Sequence, residues 1–161
     1  MIPIREAIET SAWLRGEYKQ PEWHGDFEKG ELILFQMRLL DFSKINLASV
    51  DNPGRIDPTI GPDANIWLLK LEIVNLCKKP YGLFWIKRQL LIEDNEGFQF
   101  AFLDDDHLTL NSNFAKTSGL LSFYSLTLPP KIKRSGSIIF ELPELSEDLI
   151  IKIKDGSLRE T

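Results

Sequence analysis

Gly119 to Leu145 reads GLLSFYSLTLPPKIKRSGSIIFELPEL, and this stretch decides the fold class. Leu120, Tyr124, Leu126 and Leu128 fall on one face of an extended segment, with Ser122 breaking the run. Pro129-Pro130 ends it, because proline has no N–H to give to a sheet ladder. Lys131 to Gly136 makes a charged connection. Ile138, Phe140 and Leu142 then alternate with Ser137, Ile139 and Glu141 until Pro143 stops the second strand. Two alternating segments around a turn predict half-buried antiparallel sheet.

The same period recurs outward from that stretch. In Leu32 to Leu40 the set Ile33, Phe35, Met37 and Leu39 is wholly apolar, while Gln36 and Arg38 mark an outer face. Ile66 to Asn75 sets Trp67, Leu69, Leu71 and Ile73 against Lys70 and Glu72. Leu83 to Glu93 reads as a strand with Phe84, Ile86, Leu90 and Ile92 inward, which leaves Arg88 on that face as the mark of a bulge or an edge. Asp94 to Gly97 predicts a hairpin turn, and Phe98, Phe100 and Phe102 return along one face. Leu108 to Leu110 reads as a short edge strand. In Asp148 to Lys154, Leu149, Ile151 and Ile153 alternate with Ile150, Lys152 and Lys154. Seven or eight short strands with no convincing helix between them predict an all-β protein, an antiparallel sandwich or barrel. One polar face per strand favours an immunoglobulin-like antiparallel β-sandwich; the Cys–Trp–Cys signature of antibody domains is absent.

The flanks read differently. Residues 1–30 form an N-terminal arm, residues 31–155 the sandwich, and residues 156–161 a frayed tail. Pro3 suits a first helical position. Ile4, Ile8 and Ala12 with Ala7, Ser11 and Leu14 recur at three and four, which predicts a short helix over 3–15 that needs a surface to dock on. Gly16 to Gly30 is turn-rich and expected to be irregular, with Trp13, Trp23 and Phe27 in or beside it. Residues 41–65 carry Pro53, Gly54, Pro58, Gly61 and Pro62, a loop too long for a hairpin and the expected seat of specificity.

The 161 residues suit a single domain. A formal net charge of −5 argues against nucleic acid as a partner. The lone cysteine, Cys77, rules out an intrachain disulfide and reads as a packed structural thiol. No stretch reaches the roughly 20 apolar residues that span a bilayer. The first residues lack the features of a signal peptide. As written the chain is expected in the cytoplasm, or in the cell envelope or secreted if a leader was removed.

One order of features adds a resemblance. Val74-Asn75 ends a strand, Asp94 to Gly97 makes an Asp-x-x-Gly hairpin, and an aromatic return strand follows. Leu-x-Leu-Pro then precedes Ser135 to Pro143, SGSIIFELP, and a final aliphatic strand. Residues 31–154 resemble a bacterial family of unknown function with an immunoglobulin-like sandwich fold. Its members are often labelled after a telomeric repeat-binding factor, and many are secreted or lipid-anchored. The family commonly has Pro-Gly where this chain has Pro129-Pro130, and this chain starts with an aromatic arm in place of an export signal. The resemblance implies the fold and no catalytic residues.

No Gly-rich phosphate loop, Ser-centred elbow or His-Glu-x-x-His pattern occurs, so no catalytic residue and no cofactor are expected. His24 and His107 read as loop histidines. Asp104 and Asp106 in the run Asp104-Asp105-Asp106-His107 are weak calcium candidates, since calcium needs several converging oxygens. The return strand would hold Asp94 and Glu96 about 20 Å away. Trp13, Trp23 and Trp85 are expected to form an interaction surface, because aromatic residues are enriched at interfaces. The function expected is a non-catalytic protein-interaction or accessory module, binding an unknown protein partner or itself through the arm or a sheet edge. The alternative is a small-ligand module, for carbohydrate stacked on Trp85 or for calcium.

Overall fold

The computed structural model describes residues 1–45, 65–103, 127–144 and 148–161. In chain order these form β1 (Ile2–Pro3), α1 (Ile4–Thr10), β2 (Trp13–Lys19), β3 (Leu32–Lys44), β4 (Ile66–Asn75), β5 (Tyr81–Gly82), α2 (Leu83–Gln89), β6 (Leu90–Glu93), β7 (Gln99–Leu103), β8 (Thr127–Leu128), β9 (Lys133–Glu141), β10 (Ile150–Ile153) and β11 (Gly156–Glu160). Nine strands pair in the order β1-β10-β6-β7-β9-β4-β3-β2-β11, and β5 pairs with β8. Every strand pairing is antiparallel. The protein is an all-β antiparallel sandwich with a short N-terminal helix, as the alternation predicts. The described residues hold eleven strands, where the sequence suggests seven or eight.

The order cannot lie flat. β10 and β11 stand second and ninth in it. Seven strand spacings would set them roughly 34 Å apart in a flat sheet. Only Lys154 and Asp155 join them, and three Cα steps reach about 11 Å. The sheet therefore folds over into two layers, β1-β10-β6-β7 and β9-β4-β3-β2-β11. The layers join where Phe102 faces Phe140 and Leu103 faces Ile139.

Register puts the expected apolar sets inside. Ile33, Phe35, Met37 and Leu39 of β3 are buried, as are Leu69, Leu71 and Ile73 of β4. Leu39 pairs with Leu71, but Asp41 pairs with Lys70, so Leu40 is an extra residue in β3. This bulge shifts the alternation by one, turning Phe42 inward and leaving Leu40 and Asp41 exposed. Without it Asp41 would point into the core. Asn75 ends β4 with every side-chain atom engaged. Its Nδ2 donates to the carbonyls of Lys79 (2.8 Å) and Leu128 (2.9 Å), and its Oδ1 accepts from Cys77 N–H (2.7 Å).

Several expectations are corrected. The helix ends at Thr10, not residue 15; Ser11 takes a left-handed conformation (φ 52°) and its N–H bonds back to Ile8. Trp13 to Lys19, expected as the end of the helix followed by irregular chain from Gly16, is β2, paired along its length with β3. The tail does not fray: β11 pairs with β2 from Gly156 to Glu160. Leu83 to Gln89 is helical, so that strand shrinks to Leu90–Glu93. β9 does not alternate either. Gly136 to Phe140 are all buried, because β9 lies mid-sheet between β4 and β7 with both faces covered. The described part of the opening stretch is Thr127 to Glu144; its first strand lies outside the described residues apart from Thr127 and Leu128.

Gly16 sits opposite Phe35, and a Cβ there would stand 2.2 Å from Phe35 Cζ. The missing side chain makes the space that the fully buried ring fills. Gly16→Ala is expected to destabilise the fold by about 1–3 kcal/mol, and each kcal/mol lowers Tm by roughly 2–4 °C. Adding Phe35→Leu in the same chain should recover part of that loss. A melt unchanged by Gly16→Ala would show that the ring is not confined there.

Candidate functional site

The site begins with why Leu83 to Gln89 coils. Leu83, Ile86 and Leu90 are spaced at three and four, the period of one helical face, and Leu83, Ile86 and Lys87 of α2 are buried. Lys87 Nζ lies 4.7 Å from the centroid of Phe102. Leu83 also packs towards Gly136, where a Cβ would meet Leu83 Cδ2 at 3.0 Å. Lys87 and Arg88 fall in the last turn, where cations suit the helix dipole. Trp85 and Arg88, three apart, share the outward side. The Arg88 guanidinium lies 5.1 Å from the Trp85 ring and 5.8 Å from Phe84.

Onto this helix folds the segment between β2 and β3. Gln20 and Glu31 close its base, with Gln20 N–H donating to Glu31 O at 2.8 Å. His24 and Phe27 exchange two backbone hydrogen bonds of 2.9 Å across a tight turn. Phe27 is buried and meets Tyr81 edge-on at 4.8 Å. Lys79 Nζ lies over the Phe27 ring, 4.4 Å from its centroid, and pairs with Glu31 at 2.9 Å. That bond holds the Glu31 carboxyl below the usual carboxylate range. His24 lies 4.2 Å from Trp85, ring to ring, and Glu22 approaches Arg88 at 3.6 Å. The outcome is an open cleft of about 380 Å³ lined chiefly by ring-bearing residues: His24, Phe27, Pro80, Tyr81, Phe84 and Trp85.

Behind the cleft runs a buried polar chain. Tyr81 O–H donates to Gln20 Oε1 at 2.5 Å, and the two phenol oxygens of Tyr81 and Tyr18 lie 2.7 Å apart. Tyr81 has spent its only proton on Gln20, so Tyr18 donates to Tyr81. The chain holds Tyr81 in place as the floor against which Phe27 is pinned.

Of the three tryptophans expected to form one surface, Trp85 lines this cleft and Trp23, 72% exposed, precedes His24. Trp13 lies elsewhere. It sits half-buried on the outer face of β2, 5.1 Å beneath the Arg38 guanidinium. Arg38 pairs with Glu72, which Lys133 also binds at 2.9 Å. Lys133 first, then Arg38, holds the Glu72 carboxyl below its ordinary range. Trp13 thus begins a cross-strand ladder over β2, β3, β4 and β9. Asp104, Asp106, His107 and residues 46–64 of the 41–65 loop lie outside the described residues. Among the described residues no group of three His, Cys, Asp or Glu side chains is placed to hold a metal. Cys77 Sγ accepts from Leu34 N–H at 3.4 Å, and burial pushes its thiol up, which keeps it protonated and weakly nucleophilic. The sequence reading missed the parts played by Phe27, Tyr81 and Phe84. The three-and-four spacing of Leu83, Ile86 and Leu90 carries the signal for the helix.

No protein-family model matches the chain, and no curated protein matches it. A solved structure, the crystal structure of the secreted protein MPT63 from Mycobacterium tuberculosis, is 11% identical. The likeness covers 80% of this chain and 84% of that one, with a TM-score of 0.49. No residue role or compartment passes from it to this chain.

The phenol chain has a pH signature. Burial pushes Tyr18 up, with its Tyr81 neighbour adding to the shift, and burial raises Tyr81 to about 12. An unfolded phenol ionises near ~10. The folded state therefore holds its protons more tightly, and this contribution is complete below pH ~10. It is expected to fall as pH rises from there through about 12. Tyrosinate absorbance followed alongside a denaturant melt should show these phenols ionising only as the fold is lost. Tyr81→Phe should cost about 1–3 kcal/mol by orphaning Gln20 and Tyr18; a neutral substitution would show the chain to be dispensable.

Proposed function

We propose that this chain is a non-catalytic protein-interaction module, and that its docking surface is the aromatic cleft against α2. The observation that carries the reading is the lining itself. The rings of His24, Phe84 and Trp85 and the Pro80 ring stand together around one open cleft above the buried Phe27 and Tyr81, with Trp23 exposed one residue away. Aromatic side chains and arginine are the types that dominate binding hot spots, because they supply large contact area at low entropy cost. Arg88 and Glu22 give the cleft a polar rim.

The partner proposed is an extended, proline-bearing segment of another protein. Rings standing side by side form ridges between which pyrrolidine rings sit, and such a segment arrives already extended, so little order is lost on binding. The immunoglobulin-like reading of the sandwich, which the family resemblance supports, suits a scaffold that presents such a surface on connections outside its core. A glycan is the competing occupant, since sugars also stack on exposed aromatic faces.

The test is calorimetric titration of the purified full chain with a panel of proline-rich peptides and, separately, a panel of glycans. A peptide should bind, and Trp85→Ala should weaken it at least about tenfold. Trp13→Phe, on another face, should leave binding unchanged. Peptide binding that survives Trp85→Ala, a glycan bound in place of any peptide, or no binding to either panel would each overturn the proposal.

A further inference from the structure

A second cavity lies between the two layers at the end of the sandwich where β3 and β4 are joined. Pro3, Ile4 and Leu149 line it from one layer; Phe42, Trp67 and Leu142 line it from the other. Its volume is about 230 Å³. Phe42 and Trp67 form a stacked floor, ring centroids 4.9 Å apart and planes 24° apart. Small-ligand sites combine an apolar floor with a few placed polar groups.

The polar groups here have opposite signs. The Arg5 guanidinium lies 5.7 Å from the Phe42 ring centroid and 5.9 Å from that of Trp67. Glu144 and Asp148 also line the cavity. None of these three takes part in the ion pairs found among the described residues. One cation and two carboxylates, none in an ion pair among the described residues, thus border the same aromatic cavity. A ligand that met only one sign would leave the other facing it unpaired. A zwitterion meets both.

We infer that this cavity binds a free α-amino acid with an apolar side chain. Its carboxylate would lie on Arg5, which offers a planar fork of donors. Its ammonium would lie on Glu144 and Asp148, and its side chain would rest on the Phe42–Trp67 floor. The size agrees: an apolar cavity of about 150 Å³ takes up benzene. The remaining volume and the open mouth suit a short charged head group. This site is separate from the cleft at α2 and shares no lining residue with it.

The experiment titrates the full chain with L-phenylalanine, phenethylamine, phenylpropionate and phenylalaninamide, following the indole N–H cross-peaks of Trp67 and Trp85 by NMR. The Trp67 N–H is buried and has no hydrogen-bond partner, so its position reports on the floor. L-phenylalanine should move Trp67 saturably and leave Trp85 in place. Each of the other three probes lacks one charge and should bind at least about tenfold more weakly. Phenylalaninamide separates a free amino acid from the amino terminus of a peptide, whose carboxylate is likewise absent. Arg5→Gln should erase the preference over phenethylamine. Glu144→Gln with Asp148→Asn should erase the preference over phenylpropionate, and asparagine retains the left-handed backbone of Asp148 (φ 53°). All three side chains are exposed, and thermal melts confirm that the variants fold. Should a variant melt early, the four probes on the unaltered chain decide alone. No saturable shift at Trp67, equal binding of a probe lacking one charge, or full discrimination in a folded Arg5→Gln chain would overturn the inference.

Discussion

Two residues, Lys154 and Asp155, impose the closure on which the rest of this structure depends. They join strands that stand at opposite ends of a nine-strand order. No flat arrangement satisfies so short a link, so the sheet must fold on itself and bury one face of each layer against the other. Lys154 N–H reaches Gln89 O at 2.7 Å, fastening the link to the end of α2. Asp155 takes a left-handed turn (φ 53°) that lets the chain change layers. β11 then lies against β2, and β2 against β3. The C-terminal strand β11 and the early strand β2 are thereby structural parts of one layer, while β1 edges the other.

Once the layers close, buried polar groups must find partners, and a few residues do most of that work. Asn75 ties the turn after β4 to the chain entering β9. Three side-chain hydrogen bonds satisfy its carboxamide, and its own carbonyl accepts from Lys131 N–H at 2.8 Å. That gives a physical reason for the Val-Asn ending noticed in the sequence: only a carboxamide both donates twice and accepts there. On the outer face, Glu72 is almost fully covered, yet it lies between Arg38 and Lys133 and stays charged. These networks fix register where apolar packing alone would tolerate a slip.

The all-β class, the inward set of β3 and most of the inward set of β4 were legible because alternation over a half-buried sheet leaves a period of two in the residues. What was not legible has three physical causes. Leu14, Gly16 and Tyr18 alternate as a strand should, but a glycine at the inward position hides the pattern, and only the Phe35 ring opposite explains it. In β9 both faces are covered, so the polar or apolar character of Ser137 and Ile139 carries no facing information. In Leu83 to Leu90 two periods compete. Phe84, Ile86 and Leu90 fit a strand if Arg88 is excused; Leu83, Ile86 and Leu90 fit a helix with no exception. The anomaly at Arg88 is the residue-level sign that the helical period governs this segment. Of the candidate site, Trp23 and Trp85 were legible as surface aromatics. Their neighbours were not, since His24, Phe27 and Tyr81 meet only through tertiary folding.

The choice between those two periods also decides what the surface can do. As a strand, Leu83 to Gln89 would turn Arg88 towards the core with Phe84 and Ile86, and would send Trp85 and Lys87 outward. A buried guanidinium needs several hydrogen-bond acceptors and cannot shed its charge. As a helix, the chain buries Lys87 instead, whose single ammonium is compact and lies over the Phe102 ring. Arg88 is released to the outside, on the same side as Trp85 and within reach of Phe84. A strand separates residues three apart onto opposite faces; a helix brings them together. The cluster of Phe84, Trp85 and Arg88, and the seat it offers to His24, therefore exists only because this segment coils. The place where the sheet period fails is the place where Phe84, Trp85 and Arg88 come together beside His24.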